Sequence, residues 1–278
     1  MRQFITENFP NKQGCLVVEG KQFHYLNSVL RLKVGDMLYV RLPNGNLQNM
    51  TLAKLDENKK NLILQVAGKS AENYQETKTD FHAKPSEKNS LLDLWLFMFI
   101  AKPQKMEQIL RQATECGVKK IVPVIGDFCQ KGSVESAKKH FNANDERLKK
   151  IITEARQQSG SPVNTEFTNC ISVNELENFY LNNELKTDEN LTVVLYEQSE
   201  FSQSLFSAIK NVEKLKRICI VVGAEGGISP DEIEVMKNLG FKIIHFDTNI
   251  LRCETAALYG IAAIQSAVQE SNLWQLKE

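Results

Sequence analysis

The chain has 278 residues, 42% of them hydrophobic and 24% charged, and its 34 basic and 34 acidic residues cancel to a formal net charge of zero. That length builds one large domain or two smaller ones around a sizeable core, and the charge balance excludes a uniformly basic surface. The longest apolar stretch, Leu91 to Ala101, is 11 residues and contains Asp93, whereas a membrane-spanning helix needs about 20.

The charge is unevenly spread. Residues 1–70 carry ten Lys/Arg against five Asp/Glu, and the remainder of the chain carries the opposite excess. A basic N-terminal region fits a polyanionic partner or, equally, a solvated lysine-rich surface. Six cysteines lie scattered with no C-x-x-C spacing, which indicates neither a zinc site nor a disulfide framework. Met1-Arg2-Gln3-Phe4 leads into polar residues rather than an apolar leader, so a cytoplasmic, reducing location is expected.

In chain order, Gln13 to Glu19, Met37 to Leu42, Leu47 to Leu55 and Asn61 to Ala67 read as strands, with a hairpin signal at Pro43-Asn44-Gly45-Asn46. His24 to Leu32 has helical spacing, with Leu26, Val29 and Leu30 on one face. These elements predict a compact β-barrel domain over residues 1–70. The polar run from Gly68 to Ser90 predicts a linker, bounded here as 71–90.

From residue 91 to 278 strands alternate with helices. Strands are predicted at Leu91 to Ala101, Lys120 to Ile125, Leu191 to Leu195, Arg217 to Val222 and Lys242 to Phe246. Helices are predicted at Lys105 to Cys116, Asp145 to Ser159, from the capping box Ser229-Pro230-Asp231-Glu232 to Leu239, and at Glu254 to Gln269. Gly117, Gly160 and Gly240 end the first three. The alternation predicts an α/β domain with a parallel sheet covered on both faces.

Parallel sheets bind ligands beyond the carboxyl ends of their strands. Two segments stand there: Val222-Gly223-Ala224-Glu225-Gly226-Gly227-Ile228-Ser229, and Ile250-Leu251-Arg252-Cys253-Glu254-Thr255-Ala256-Ala257. The first is no Walker loop, since no Gly-Lys-Ser/Thr follows, and no dinucleotide fingerprint. Alone it is a tight turn or a ligand cradle. The pair suggests one ligand held between neighbouring strand ends.

Together these segments resemble the RsmE family, the small-subunit rRNA uridine-N3 methyltransferases of the knotted SPOUT superfamily. That family carries a Gly-Pro-Glu-Gly-Gly turn and an Ile-Leu-Arg-Thr-Glu-Thr-Ala segment at this separation. Lys102 through Lys105, Ala113-Thr114-Glu115-Cys116-Gly117-Val118, Ile121-Val122-Pro123 and Glu154-Ala155-Arg156-Gln157-Gln158-Ser159 extend the likeness. Arg2-x-Phe4, His24-x-x-x-x-Val29-Leu30-Arg31 and Gly35-Asp36 are similar to its PUA-like RNA-binding domain.

The resemblance implies a deep trefoil knot over roughly residues 191–270, a homodimer, and S-adenosyl-L-methionine as cofactor with no metal. Its cofactor-binding residues would be Leu195, Glu197, Val222, Gly223, Glu225, Gly226, Gly227, Phe246, Asp247, Ile250, Leu251, Arg252, Thr255 and Ala256. The implied reaction is methylation of a uracil N3 in the decoding region of 16S rRNA within the small ribosomal subunit. Arg252 is then a candidate to stabilise the uracil anion or clamp a phosphate, and Glu225 to orient base or donor or to accept a proton. Glu254 would orient the base, accept a proton, or simply stabilise the start of its helix. Thr255 reads equally as a structural hydroxyl near the helix start. Arg2, Arg31 and Lys33 are the candidate phosphate contacts, while His24 reads as a packed helix residue.

The chain departs from the family pattern in three places. Phe246-Asp247-Thr248-Asn249 replaces Leu-Gly-x-Arg, Gly160 follows Gln158-Ser159 where an arginine is common, and Asp127-Phe128-Cys129-Gln130-Lys131 replaces an Arg-Ser segment. Two alternatives follow: a knotted methyltransferase for another rRNA or tRNA nucleotide, and a non-catalytic RNA-binding assembly factor. A nucleotide-dependent oxidoreductase is disfavoured by the missing dinucleotide fingerprint.

Overall fold

The computed structural model describes residues 3–67, 92–199, 202–210, 212 and 215–274. Arg2 and the linker expected at 71–90 lie outside them. The chain divides into two compact units, one formed by residues 1–90 with 157–162 and the other by the rest.

The first unit contains β1 (Gln3–Ile5), β2 (Cys15–Glu19), α1 (Gly20–His24), β3 (Met37–Arg41), β4 (Leu47–Asp56) and β5 (Asn61–Val66). They form one sheet in the order β1-β3-β4-β5-β2, antiparallel except for the parallel β1–β3 pair. In β5, Leu62, Leu64 and Val66 are buried and alternate with half-buried neighbours, the period of two that a one-sided sheet demands. A register shift between Leu52 and Lys54 bends β4. Phe4, Leu16, Val18, Val40 and Met50 complete the core.

The helix expected at His24 to Leu32 is corrected. The helical segment starts earlier, at Gly20, and continues beyond α1 as a π-helical turn over Tyr25–Val29. Its buried face is Phe23 and Leu26, one turn apart, while Val29 is 62% exposed. Of the expected face, Leu26 is buried and Leu30 packs against the core as predicted, and only Val29 turns to solvent.

The second unit runs β6 (Asp93–Phe99), α2 (Pro103–Glu115), β7 (Lys120–Ile125), α3 (Lys131–His140), α4 (Glu146–Ser159), β8 (Glu166–Phe167), β9 (Ile171–Ser172), α5 (Leu176–Asn182), β10 (Asn190–Leu195), α6 (Leu205–Lys210), β11 (Arg217–Val222), α7 (Pro230–Asn238), β12 (Lys242–Ile244) and α8 (Cys253–Trp274). The sheet order is β12-β10-β11-β6-β7-β8, with β9 also beside β7, and every pairing is parallel.

Side chains of β6 show why both faces are covered. Leu94, Leu96 and Met98 enter one core with Met106, Ile109 and Leu110 of α2 and Ala257, Ile261 and Ile264 of α8. Trp95, Phe97 and Phe99 enter the other with Leu176 and Tyr180 of α5 and Ile233 and Met236 of α7. A strand buried on both faces reads as a continuous apolar run, as this one does. Among the described residues, no helix is long and apolar enough to cross a membrane.

One consequence of strand order positions the site. β10 lies between β12 and β11, and Leu195 is in register with both Ile244 and Val222. Three carboxyl ends therefore stand side by side, with β6 next in line. The strand expected to reach Phe246 stops at Ile244, and the last helix starts at Cys253 rather than Glu254.

Candidate functional site

At these aligned ends lies a cleft of about 470 Å³. Its walls are Tyr196 and Glu197 after β10, the turn Gly223 to Ile228 after β11, the segment His245 to Arg252 after β12, and the start of α8 with Cys253 and Ala256. Lys105 of α2 completes it.

The glycine turn is shaped by close backbone approach. Gly227 N–H donates to the Ala224 carbonyl at 3.0 Å. A Cβ on Gly223 would stand 2.8 Å from the Gly227 carbonyl carbon, so only glycine fits there. Gly227 has φ +80°, and its open side faces the Glu197 carboxylate. The turn feeds directly into α7, whose first turn is capped as the sequence predicts. Ser229 Oγ accepts from Glu232 N–H at 3.3 Å, and Glu232 accepts from Ser229 N–H at 2.8 Å. The same pair reaches the loop after β7: Ser229 Oγ donates to Asp127 at 2.6 Å, and Glu232 accepts from Asp127 N–H at 2.8 Å.

On the opposite wall, His245 Nδ1 lies 3.1 Å from the Tyr196 carbonyl oxygen, tying the β10 and β12 ends together. Phe246 meets Tyr259 of α8 edge-on at 5.1 Å between ring centres. Beyond it the chain is exposed, Ile250 to 91%. Gly260 of α8 faces Leu195 so closely that any larger residue would overlap it.

Charge converges on Lys105. Its ammonium lies 3.0 Å from Glu254 Oε2 and 3.7 Å from Glu225 Oε1. Glu225 Oε1 also accepts from Lys102 N–H at 3.2 Å. The hydrogen bond to Glu254 holds the Lys105 ammonium above its usual range. Burial opposes ionisation of Glu254, but its own backbone N–H, Lys105 and the Cys253 thiol together hold its carboxyl below the usual range. Burial and the neighbouring Glu254 push the Cys253 thiol up to about 12, so at neutral pH it is a packed thiol and not a nucleophile.

Most of the predicted site residues meet here. Leu195, Glu197, Val222, Gly223, Glu225, Gly226, Gly227, Phe246, Ile250, Leu251, Arg252 and Ala256 line the cleft. Asp247 and Thr255 are exposed and stand outside the lining, and Glu254 reaches it through Lys105. In the first unit, Arg31 and Lys33 are exposed between the π-helical turn and β3. His24, expected to be packed, is exposed and borders a hollow with Phe23, Asn27 and Lys60.

Sequence reasoning missed Lys105, Tyr196, His245 and Cys253 as wall residues. Lys105 carried a usable signal, because it follows the carboxyl end of β6, the neighbour of β11.

Residues 87–265 match a family model described as an RNA methyltransferase domain. Ribosomal RNA small subunit methyltransferase E of Rickettsia conorii is 32% identical over 268 residues, 95% of this chain and 94% of that protein. Ribosomal RNA small subunit methyltransferase E 2 of Borreliella burgdorferi is 28% identical over 274 residues, 98% of this chain and all of that one. The crystal structure of a ribosomal RNA small subunit methyltransferase E from Neisseria gonorrhoeae bound to S-adenosyl methionine has the same fold. Its TM-score is 0.70 at 23% identity, and the match covers 96% of this chain and 97% of that one.

Proposed function

Since the chain belongs to the RNA methyltransferase family, among the ribosomal RNA small subunit methyltransferases E, we propose that it methylates N3 of a uridine in 16S rRNA. The methyl donor in this reading is S-adenosylmethionine, and the target lies in the decoding region of the small ribosomal subunit. The observation that carries the reading is the cleft at three aligned strand ends, one wall of which is a glycine cradle.

The residues present fit this donor. Gly223 packs backbone to backbone against Gly227, and Gly227 at φ +80° turns toward the Glu197 carboxylate, which gives the turn its tight shape, and the Glu197 carboxylate and apolar Leu195, Phe246 and Leu251 supply mixed walls. Backbone groups of the loops after β10, β11 and β12 would hold it. When bound, the donor supplies a methyl group already activated by its sulfonium.

What remains for the protein is to hold the uracil in line and manage one proton. Arg252, exposed on the cleft wall, stabilises the negative charge that develops as the N3–H bond ionises, or clamps the adjoining phosphate. Glu225, anchored by Lys102 N–H, orients base or donor. Glu254 anchors the start of α8. Arg2, Arg31 and Lys33 contact phosphates and set the position of the RNA without reading its sequence.

The same reading includes a PUA-like barrel at residues 1–70, a methyltransferase domain at 91–278, a trefoil knot over roughly 191–270, a homodimer and a cytoplasmic location. One observation favours a second reading, a non-catalytic RNA-binding assembly factor: Asn249 lines the cleft in the place of the family's arginine. Calorimetric titration with S-adenosylmethionine separates the two. Saturable binding supports the enzyme, and no binding supports the assembly factor.

A further inference from the structure

Lys105 stands where local electrostatics disfavours it. It is the third residue of α2, which opens at Pro103 and has no acidic residue in its first turn. The N-terminal end of a helix carries partial positive charge and prefers acids. A cation there, turned inward to line a cleft, breaks a local rule, and such breaks concentrate at functional sites. Its compensation comes from two other elements. Glu225 belongs to the glycine turn after β11, and Glu254 to the first turn of α8, and the Lys105 ammonium reaches both, at 3.7 and 3.0 Å.

These contacts join the two walls that carry the two motifs. The glycine turn is tied to α2 twice, through Lys102 N–H and through Lys105. The Arg252 segment is tied through Glu254 and, more weakly, through the Cys253 sulfur, 3.9 Å from the Lys105 ammonium. Without the ammonium, Glu225 and Glu254 would lose the ion-pair partner they share, and both walls would lose their common brace.

We propose that Lys105 is a positioning residue of methyl transfer, its ammonium bracing Glu225 and Glu254 so that the glycine turn and Arg252 keep a fixed separation across the cleft. This rests on the methyltransferase reading above. Lys105 touches neither reacting atom in this role. Its contribution is geometric, and a displacement of about 1 Å at a reacting centre costs on the order of 10²-fold in rate.

The test compares the full chain with Lys105→Met and Lys105→Arg. Methionine matches the length without the charge, and arginine restores a cation that spans two carboxylates. Single-turnover methyl transfer on small subunits, donor affinity by calorimetry and thermal melting are measured on all three. The expected result is a loss of about 10²-fold in transfer rate for Lys105→Met, with donor affinity and melting close to wild type, and recovery of most of the rate in Lys105→Arg. Wild-type rate in Lys105→Met overturns the inference and leaves the function intact. Equal loss in both variants, accompanied by lost donor affinity and lower melting, overturns it in favour of a purely structural lysine. A wild-type protein without transfer overturns the function and this inference with it.

Discussion

Gly223 and Gly227 pack backbone against backbone: a Cβ on Gly223 would come within 2.8 Å of the Gly227 carbonyl carbon and 3.0 Å of its Cα. No side chain can rotate away, because every atom in the way is main chain. Gly223→Ala therefore forces the turn open. The expected cost is about 1–3 kcal/mol of stability, with a fall in donor affinity on the order of tenfold or more, since each 1.4 kcal/mol of lost fit is tenfold. Urea denaturation and calorimetry measure the two effects. A variant with wild-type affinity would show that the cradle tolerates rearrangement.

Ser229 links α7 to the loop after β7 through one hydroxyl, capping the helix while donating to Asp127. Ser229→Ala should lower stability by about 1 kcal/mol, the usual worth of such a cap, without changing the denaturant slope. Loss of the Asp127 partner should also loosen the loop after β7, seen as faster amide exchange at Asp127.

Arg252→Ala should leave thermal melting nearly unchanged, because exposed residues away from packed features contribute within about 0.5 kcal/mol. Turnover should fall by about 10²–10³, the range for removing one preorganised donor from a developing anion. Unchanged turnover removes Arg252 from the reaction.

Cys219 and Cys253 set a limit on alkaline stability. Burial is the main cause that pushes each thiol up to about 12 from a free value of 9.0. Between those values the unfolded chain has released protons that the folded chain still holds, so stability falls as pH rises through this window. Near neutral pH, well below 9.0, both states hold the proton and neither thiol contributes a slope. The maximum slope is about 1.4 kcal/mol per pH unit for each thiol. Chemical denaturation from pH 8 to 11, compared with Cys219→Ala and Cys253→Ala, should show the wild type losing stability more steeply than either variant.

Much of this architecture was legible because its signals are local. The strands Lys120–Ile125 and Arg217–Val222 have the predicted bounds, and Ser229 caps α7 as the Ser-Pro-Asp-Glu pattern requires. The two motif segments do share one cleft. What was not legible lacked a stripe or a length. α3 buries only Ser133 and Ala137, α5 anchors through Leu176 and Tyr180 within seven residues, and β8 and β9 have two residues each. The phase of the segment near His24 depends on Phe23, which is buried in a core shared by β2 just before it and β5 far along the chain. Lys105 was read only as part of a helix-start likeness and not as a wall residue, because its contact with the glycine turn arises from strand order, which brings the β6 end beside β11.

The most direct measurement is methyl transfer from labelled S-adenosylmethionine to small ribosomal subunits lacking uridine methylation, followed by nucleoside mass spectrometry. The expected product is 3-methyluridine at a single position of 16S rRNA, dependent on the protein and formed far more slowly by Arg252→Ala. Label in another nucleoside, or none despite donor binding, would contradict it.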